Sequence, residues 1–331
     1  MPPIVRSPRL FALAGAAVAS ALLASPALAG NGGFAPVPPE SPNAHGIHQS
    51  YLFISIFCLA IFVLVEGLLI AFIVRYRRRN RPRHADGAQI HGATRLELAW
   101  TLGPVVILFV IAAFVFAKLP GIQDVPAASA GTSNLVVDVT GTQFSWEFRY
   151  PNGVVSFDRM RAPEGRTVEL HVTAPDWDVI HSWWIPALAG KIDAIPGRVN
   201  KTWFKAQRTG VFQGQCAELC GLFHAKMLAS VEVMPADEFD AWLEQSRQQQ
   251  DAGTGPLGEE MWEATCAKCH GPSGEGDYGP KLAGTALVAN PEAVEGVIRN
   301  GFGRMPPVGR DWNDNEMSAI TTYLKENVGG G

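Results

Sequence analysis

No basic surface extensive enough to follow a nucleic acid runs along this chain: its formal net charge is −4 and only 18% of its 331 residues are charged. That balance excludes the electrostatic footprint of a DNA- or RNA-binding protein. Cysteine is scarce too, at five residues. Cys58 stands alone in an apolar run and is expected to be a small buried hydrophobe. The other four form two tight pairs, Cys216/Cys220 and Cys266/Cys269. In an exported protein such pairs are disulfides or metal and cofactor ligands, and their neighbours decide which.

The length accommodates two ordinary domains plus membrane segments. Residues 1–29 read as a secretory signal. Arg6 and Arg9 precede the short apolar core Leu10–Leu23, and Ala27-Leu28-Ala29 forms an A-x-A cleavage pattern; a first membrane anchor is the competing reading. In the N-terminal segment 30–50, residues 31–44 are rich in Gly, Pro and Asn and are expected to be loose. Tyr51–Val74 is an apolar run broken only by Glu66, and Leu98–Leu119 is a second. At ~1.5 Å rise per residue each is long enough to span the hydrocarbon layer. Transmembrane helices are therefore expected at 51–74 and 97–119. The loop between them, 75–96, carries Arg75, Arg77, Arg78, Arg79, Arg81, Arg83 and Arg95 against one acid, Asp86. Positive loops stay cytoplasmic, which puts everything after residue 120 on the outer side. Glu66 lies where an acid is costly and usually faces protein or water.

After a Pro/Ala/Gly-rich stretch, 120–133, short β-type runs recur through 134–234 at sandwich spacing, from LVVDVT to LASVEV, and ADEFDAWLEQSR reads as a closing helix. The expected outer domain spans 132–245. Residues 246–256 read as a flexible polar linker with a reach of roughly 17–20 Å. Residues 257–331 read helical, the last helix capped by Asn313. From 248 onward twelve acids oppose six bases. Charge attraction is therefore a poor candidate for holding this last domain against the acids Asp178 and Asp193, and a tether is expected to do so instead.

The string Cys216-Ala-Glu-Leu-Cys220-Gly-Leu-Phe-His224-Ala-Lys-Met227 crowds two thiolates, an imidazole and a thioether into twelve residues, with His181 earlier on a strand edge. Soft ligands with imidazole favour copper. A mononuclear blue-copper site needs one Cys, so this loop has one too many. Two thiolates that each bridge two metals make a compact binuclear site with one His per copper. Sharing the odd electron over two metals and two sulfurs lowers the reorganisation that electron transfer requires. A disulfide would leave His224 and Met227 without purpose, and zinc would not need Met227.

Residues 45–245 resemble subunit II of the haem–copper cytochrome c oxidases, through the membrane hairpin and the whole copper loop. The resemblance implies a dinuclear copper A centre bridged by Cys216 and Cys220, with His181 and His224 as terminal ligands. Met227 and the Glu218 carbonyl would be the weak ones. The Glu218 side chain would reach a magnesium ion shared with subunit I, hard oxygen suiting that ion. Glu97, in Glu97-Leu-Ala-Trp100-Thr101-Leu-Gly-Pro104, would sit at the inner mouth of a proton path. Asp178 and Asp193 would belong to the face where a cytochrome docks. One departure stands out: in Gly141-Thr-Gln143-Phe144-Ser145-Trp146 the usual tryptophan for electron acceptance is Phe144, while Trp146 matches the second tryptophan of the run.

Cys266-Ala-Lys-Cys269-His270 is a c-type haem attachment motif: Cys266 and Cys269 form the thioethers and His270 binds iron. Met305, in Gly303-Arg304-Met305-Pro306-Pro307, is the expected sixth ligand, and Met/His ligation raises the potential. Residues 257–331 resemble a class I cytochrome c.

The expected architecture is multidomain: a two-helix transmembrane hairpin, an all-β cupredoxin sandwich and an all-α cytochrome c domain. With both cofactors, it is similar to subunit II of a caa3-type oxidase in a bacterial inner membrane. Expected partners are subunits I and III and an external donor such as a cytochrome c or a bc1 complex. A quinol oxidase subunit would lack the copper ligands, and nitrous oxide reductase would be soluble with a large extra domain. A copper-delivery or redox-sensing module remains the alternative.

Overall fold

The computed structural model describes residues 36–77, 89–128 and 133–329. The expected signal segment, most of the arginine loop (Arg78, Arg79, Arg81, Arg83 and Asp86) and residues 129–132 lie outside them. Two helices, α1 (Pro42–Tyr76) and α2 (Thr94–Gln123), are long and apolar enough to cross a membrane. They pack through stacked rings of Phe53 and Phe114, 4.0 Å apart. Their remaining surfaces are exposed and apolar, Ile56, Leu59, Phe62 and Phe109 among them, as a lipid-facing helix requires. Cys58, expected to be buried, is exposed on α1; in a membrane helix the apolar face turns outward to lipid.

The first helix begins at Pro42, within the segment expected to be loose. Pro at N1 pre-sets the helical φ. The chain entering it is pinned to the next domain: Asn43 Nδ2 donates to Trp203 O at 2.5 Å and Glu40 N to Ala187 O at 2.7 Å.

The middle domain is a sandwich of two five-stranded sheets. One, in the order β3-β2-β1-β5-β8, contains β1 (Leu135–Thr142), β2 (Ser145–Arg149), β3 (Val155–Phe157), β5 (Val168–Thr173) and β8 (Asn200–Phe204). The other, β4-β10-β9-β6-β7, contains β4 (Arg159–Pro163), β6 (His181–Trp184), β7 (Ile192–Ala194), β9 (Gly210–Cys216) and β10 (Leu228–Met234). Burial alternates along β5, as one packed face and one wet face demand. Val137, Val139, Phe148, Leu170, Trp183, Phe204 and Val231 fill the space between the sheets.

Helix α3 (Ala236–Asp251) runs six residues into the stretch expected to be a flexible linker. Arg247 bonds Glu244 and Asp251 along it, and Gln250 exchanges two hydrogen bonds with the Val155 backbone. The flexible-coil reading therefore fails for 246–251: good helix formers with (i, i+4) pairs continue the helix.

The last domain is helical. Helix α4 (Leu257–Met261) widens into a π turn at Trp262–Cys266 and resumes as α5 (Ala267–His270). Then come α6 (Pro291–Asn300) and α7 (Asp314–Tyr323), the latter opened by an Asn313/Glu316 capping box. Val155 and Phe157 of β3 lie in the same buried cluster as Leu257, Met261, Trp262, Trp312 and Met317. A strand of the sandwich thus completes the core of the helical domain.

Charge pairs cross the same junction. Arg149 Nη2 lies 2.6 Å from Glu316 Oε1, Arg161 Nη1 3.5 Å from Glu260 Oε1, and Lys268 Nζ 2.5 Å from Asp158 Oδ2. Acids of the helical domain meet two sandwich arginines. Charge attraction does act across this junction, but through Arg149, Arg161 and Asp158 and not through Asp178 or Asp193: local pairing, not summed charge, decides.

Candidate metal and haem centres

Strand β9 ends on Cys216, and the chain turns through Cys220 and a single 3₁₀ turn (His224–Lys226) before β10 begins. That loop sits beside the start of β6, which supplies His181. The ligand atoms of His181, Cys216 and Cys220 lie within 4.8 Å of one another, all buried. The two sulfurs are 3.9 Å apart. His224 Nδ1 is 3.5 Å and Met227 Sδ 3.8 Å from Cys220 Sγ. The Glu218 carbonyl lies 3.2 Å from Cys216 Sγ. Its carboxylate points away, 3.5 Å from Lys191 Nζ.

The donor set fits a soft metal pair. His181 is fully buried, yet neither ring nitrogen makes a hydrogen bond; buried polar atoms are rarely left so. The two thiols hold each other's protons unequally: their mutual hydrogen bond pulls Cys216 well below the usual thiol range and pushes Cys220 up. Metal cations would deprotonate both.

Asp178 does not belong to an exposed docking face. Its carboxylate is 1% exposed, accepts the backbone N–H of Gln143 and of Val179, and lies 3.6 Å from His181 Nε2. Those N–H groups need an acceptor, which draws it inward. Asp193 is half-buried, and its carboxylate pairs with Lys191 at 3.2 Å. Trp146, grouped by sequence with an electron-accepting surface, is 0% exposed and meets the His181 ring edge-on. Glu97 lies in the first turn of α2, where its carboxylate accepts the Ala93 N–H at 3.1 Å, a helix-capping contact. Glu66 is exposed along α1.

In the helical domain a cavity of about 1230 Å³ opens beside Cys266, Cys269 and His270 and is also lined by Met305. Four of its wall residues, Gln143, Phe144, Leu222 and Phe223, come from the sandwich. His270 Nδ1 donates to Pro280 O at 2.7 Å, which fixes the tautomer and leaves Nε2 for a metal. Gly279 lies so close that a Cβ there would meet His270 Cε1 at 2.7 Å. The cysteines are free, and burial pushes Cys266 up to about 12. Chamber volume, paired thiols and an oriented imidazole fit a covalently held haem.

Three segments match known families: residues 33–117 the transmembrane domain and 156–234 the periplasmic domain of cytochrome c oxidase subunit II, and 254–324 the subunit III family of cbb3-type cytochrome c oxidase. A cytochrome c oxidase subunit 2 of Alkalihalophilus pseudofirmus is 33% identical over 314 residues, covering 87% of this chain and 89% of the relative. Another, from Cereibacter sphaeroides, is 34% identical over 249 residues, covering 63% of this chain and 79% of the relative. The solved periplasmic domain of subunit II of cytochrome oxidase from Bradyrhizobium japonicum is 37% identical, covering 38% of this chain and 97% of that one, with a TM-score of 0.34.

Proposed function

The chain belongs to the cytochrome c oxidase subunit II family, and from that membership we propose that it is the electron-receiving subunit of a caa3-type oxidase, carrying copper A and haem c on one polypeptide. Membership makes it a membrane protein and a component of an oxidase whose subunit I is its partner. The proposed ligands of the copper pair are His181, Cys216, Cys220, His224 and Met227, with the Glu218 carbonyl. The proposed haem ligands are His270 and Met305, with Cys266 and Cys269 as thioether sulfurs. When bound, haem c and the copper pair would supply one-electron storage and transfer between an external donor and subunit I.

The chain's own residues hold these groups apart from water and in fixed orientation. His181 and Cys216 are buried on strand ends, and Cys220 and Met227 are buried in the short loop between β9 and β10, which keeps the ligand set from rearranging between redox states. The carboxylate of Glu218, facing outward, is available to a magnesium ion shared with subunit I. The arginine-rich connection is proposed to stay inside a bacterial inner membrane, with both outer domains on the periplasmic side. Glu97 would then open toward the proton path of subunit I. A cytochrome c or a bc1 complex is the proposed donor, subunit III a further partner, and oxygen reduction to water with proton translocation the overall reaction.

The observation that carries the reading is the chamber beside Cys266, Cys269 and His270, whose wall is built in part by Gln143 and Phe144 of the copper-ligand domain. The test is Cys216→Ser in the assembled enzyme. One remaining thiolate cannot bridge two metals, so the mixed-valence copper EPR signal is lost while the haem c absorbance persists. Survival of the mixed-valence hyperfine pattern would refute the site.

A further inference from the structure

Nothing in the attachment chemistry of Cys266-Ala267-Lys268-Cys269-His270 calls for a lysine, since the sulfurs and the imidazole do the holding. Yet the Lys268 side chain is only 13% exposed, and lysine is almost never buried unless paired. Its ammonium donates to Phe144 O at 2.8 Å and to Asp158 Oδ2 at 2.5 Å, both on the sandwich. Asp158 is itself fixed from the other side. Its Oδ1 accepts the Trp146 N–H at 2.9 Å, its own N–H donates to Trp146 O, and its carbonyl accepts from Ser230 N.

Phe144 is joined to the copper loop through its neighbour. Gln143 Nε2 donates to Cys220 O at 2.6 Å, and a Cβ on Gly221 would meet that same nitrogen at 2.9 Å. The amide is therefore held without slack. One residue before Cys266, Thr265 Oγ1 donates to Ser145 Oγ at 3.2 Å, again buried. Thr265 and Lys268, three positions apart in the attachment segment, thus both grip the β1–β2 turn, whose other side grips a copper-loop carbonyl.

We propose that Lys268 is a positioning residue that locks the haem-attachment segment to the β1–β2 turn, and through Gln143 to Cys220, so that the haem chamber and the copper loop hold one fixed separation. This rests on the cofactor reading above. Three properties distinguish Lys268 from general domain glue. It lies inside the attachment motif, it reaches a backbone carbonyl beside Gln143, and its carboxylate partner also anchors Trp146, whose ring meets His181. A lysine that merely added charge to the junction would need none of these.

The test uses the full oxidase with Lys268→Met, which keeps the apolar stem of the side chain and removes its donors. Lys268→Arg and Asp158→Asn accompany it. Three quantities are read: the amount of each cofactor, the acceleration of copper EPR relaxation by oxidised haem c, and the rate of flash-induced electron transfer between the two. With both cofactors present, Lys268→Met is expected to weaken the magnetic coupling and slow the transfer by up to about tenfold, the factor by which one lost charge-assisted hydrogen bond lowers the population of the locked arrangement. Lys268→Arg, which can reach both acceptors, restores both within about twofold. Asp158→Asn changes both in the same direction by less, and it decides the matter alone if Lys268→Met does not assemble. Coupling and rate unchanged in Lys268→Met, or in Asp158→Asn when it decides alone, would overturn the proposal. Absence of the mixed-valence copper signal or of haem c in the unmodified enzyme would instead overturn the cofactor reading, and the proposal with it.

Discussion

Replacing Arg149 by Met isolates the electrostatics of the domain junction. Arg149 Nη2 lies 2.6 Å from Glu147 Oε1 and 2.6 Å from Glu316 Oε1. The Glu316 side chain is 1% exposed and also caps α7, while Arg149 itself is 34% exposed. Removing one partner of a buried ion pair costs roughly 3–5 kcal/mol; with a third of the arginine in water, the lower end, about 3 kcal/mol, is expected at about pH 8. Burial, with Glu316 beside it, pushes Glu147 up to about 7 from an ordinary 4.5. The folded state holds that proton more tightly than the unfolded one, so this group favours folding most below about 4.5 and loses that contribution as pH rises through about 7. At about pH 5.5 Glu147 is already neutral, only the Glu316 pair is lost, and the cost falls to roughly half. Thermal unfolding of the solubilised chain, followed by haem absorbance, reads the difference. A drop of roughly 6–12 °C in midpoint at about pH 8 is expected, and half of that at about pH 5.5. A loss under about 1 kcal/mol at the higher pH, the level of a solvated surface pair, or equal losses at both, would refute the reasoning.

Met305→Ala should keep covalent haem but lower its reduction potential, because the thioether that favours ferrous iron is gone; redox titration with an unchanged midpoint would exclude Met305 as ligand. Gly279→Ala should displace the imbedded His270 ring, since the added methyl would lie 2.7 Å from Cε1 and 2.8 Å from Nδ1. The expected result is low-spin haem absorbance reduced at equal polypeptide, and a normal spectrum would show that the ring has room to move.

Most of both proposed ligand clusters is legible in the sequence because each is nearly contiguous: Cys216 to Met227 and Cys266 to His270 fall within a dozen residues each, while the proposed ligands His181 and Met305 lie outside those runs. The spanning helices were readable for the same reason, as long unbroken apolar runs. What escaped depends on pairs far apart in the chain. Lys268 and Asp158 are separated by 110 positions and Arg149 and Glu316 by 167, so no local pattern marks them. Summed charge in the last domain pointed to a tether, whereas Glu260, Lys268, Asp277 and Glu316 each pair with a residue of the sandwich. Asp178 reads with Asp193 as part of a docking face, and only the fold brings the Gln143 N–H within its reach. Strand β3, three residues long and separated from a Pro-Asn-Gly turn only by Val154, is too short to carry a period.

The core shared between β3 and the helical domain has a consequence for the order of construction. Val155 and Phe157 precede the helices they pack among by about a hundred residues. Contacts of such separation close late, after the entropy of the intervening loop has been spent. The sandwich leaves the ribosome first and presents two apolar side chains with no cover. The attachment segment then collapses onto a template already built. Severed before Leu257, the same helices would expose the apolar face that Val155 and Phe157 now cover, and would have to find another partner or aggregate.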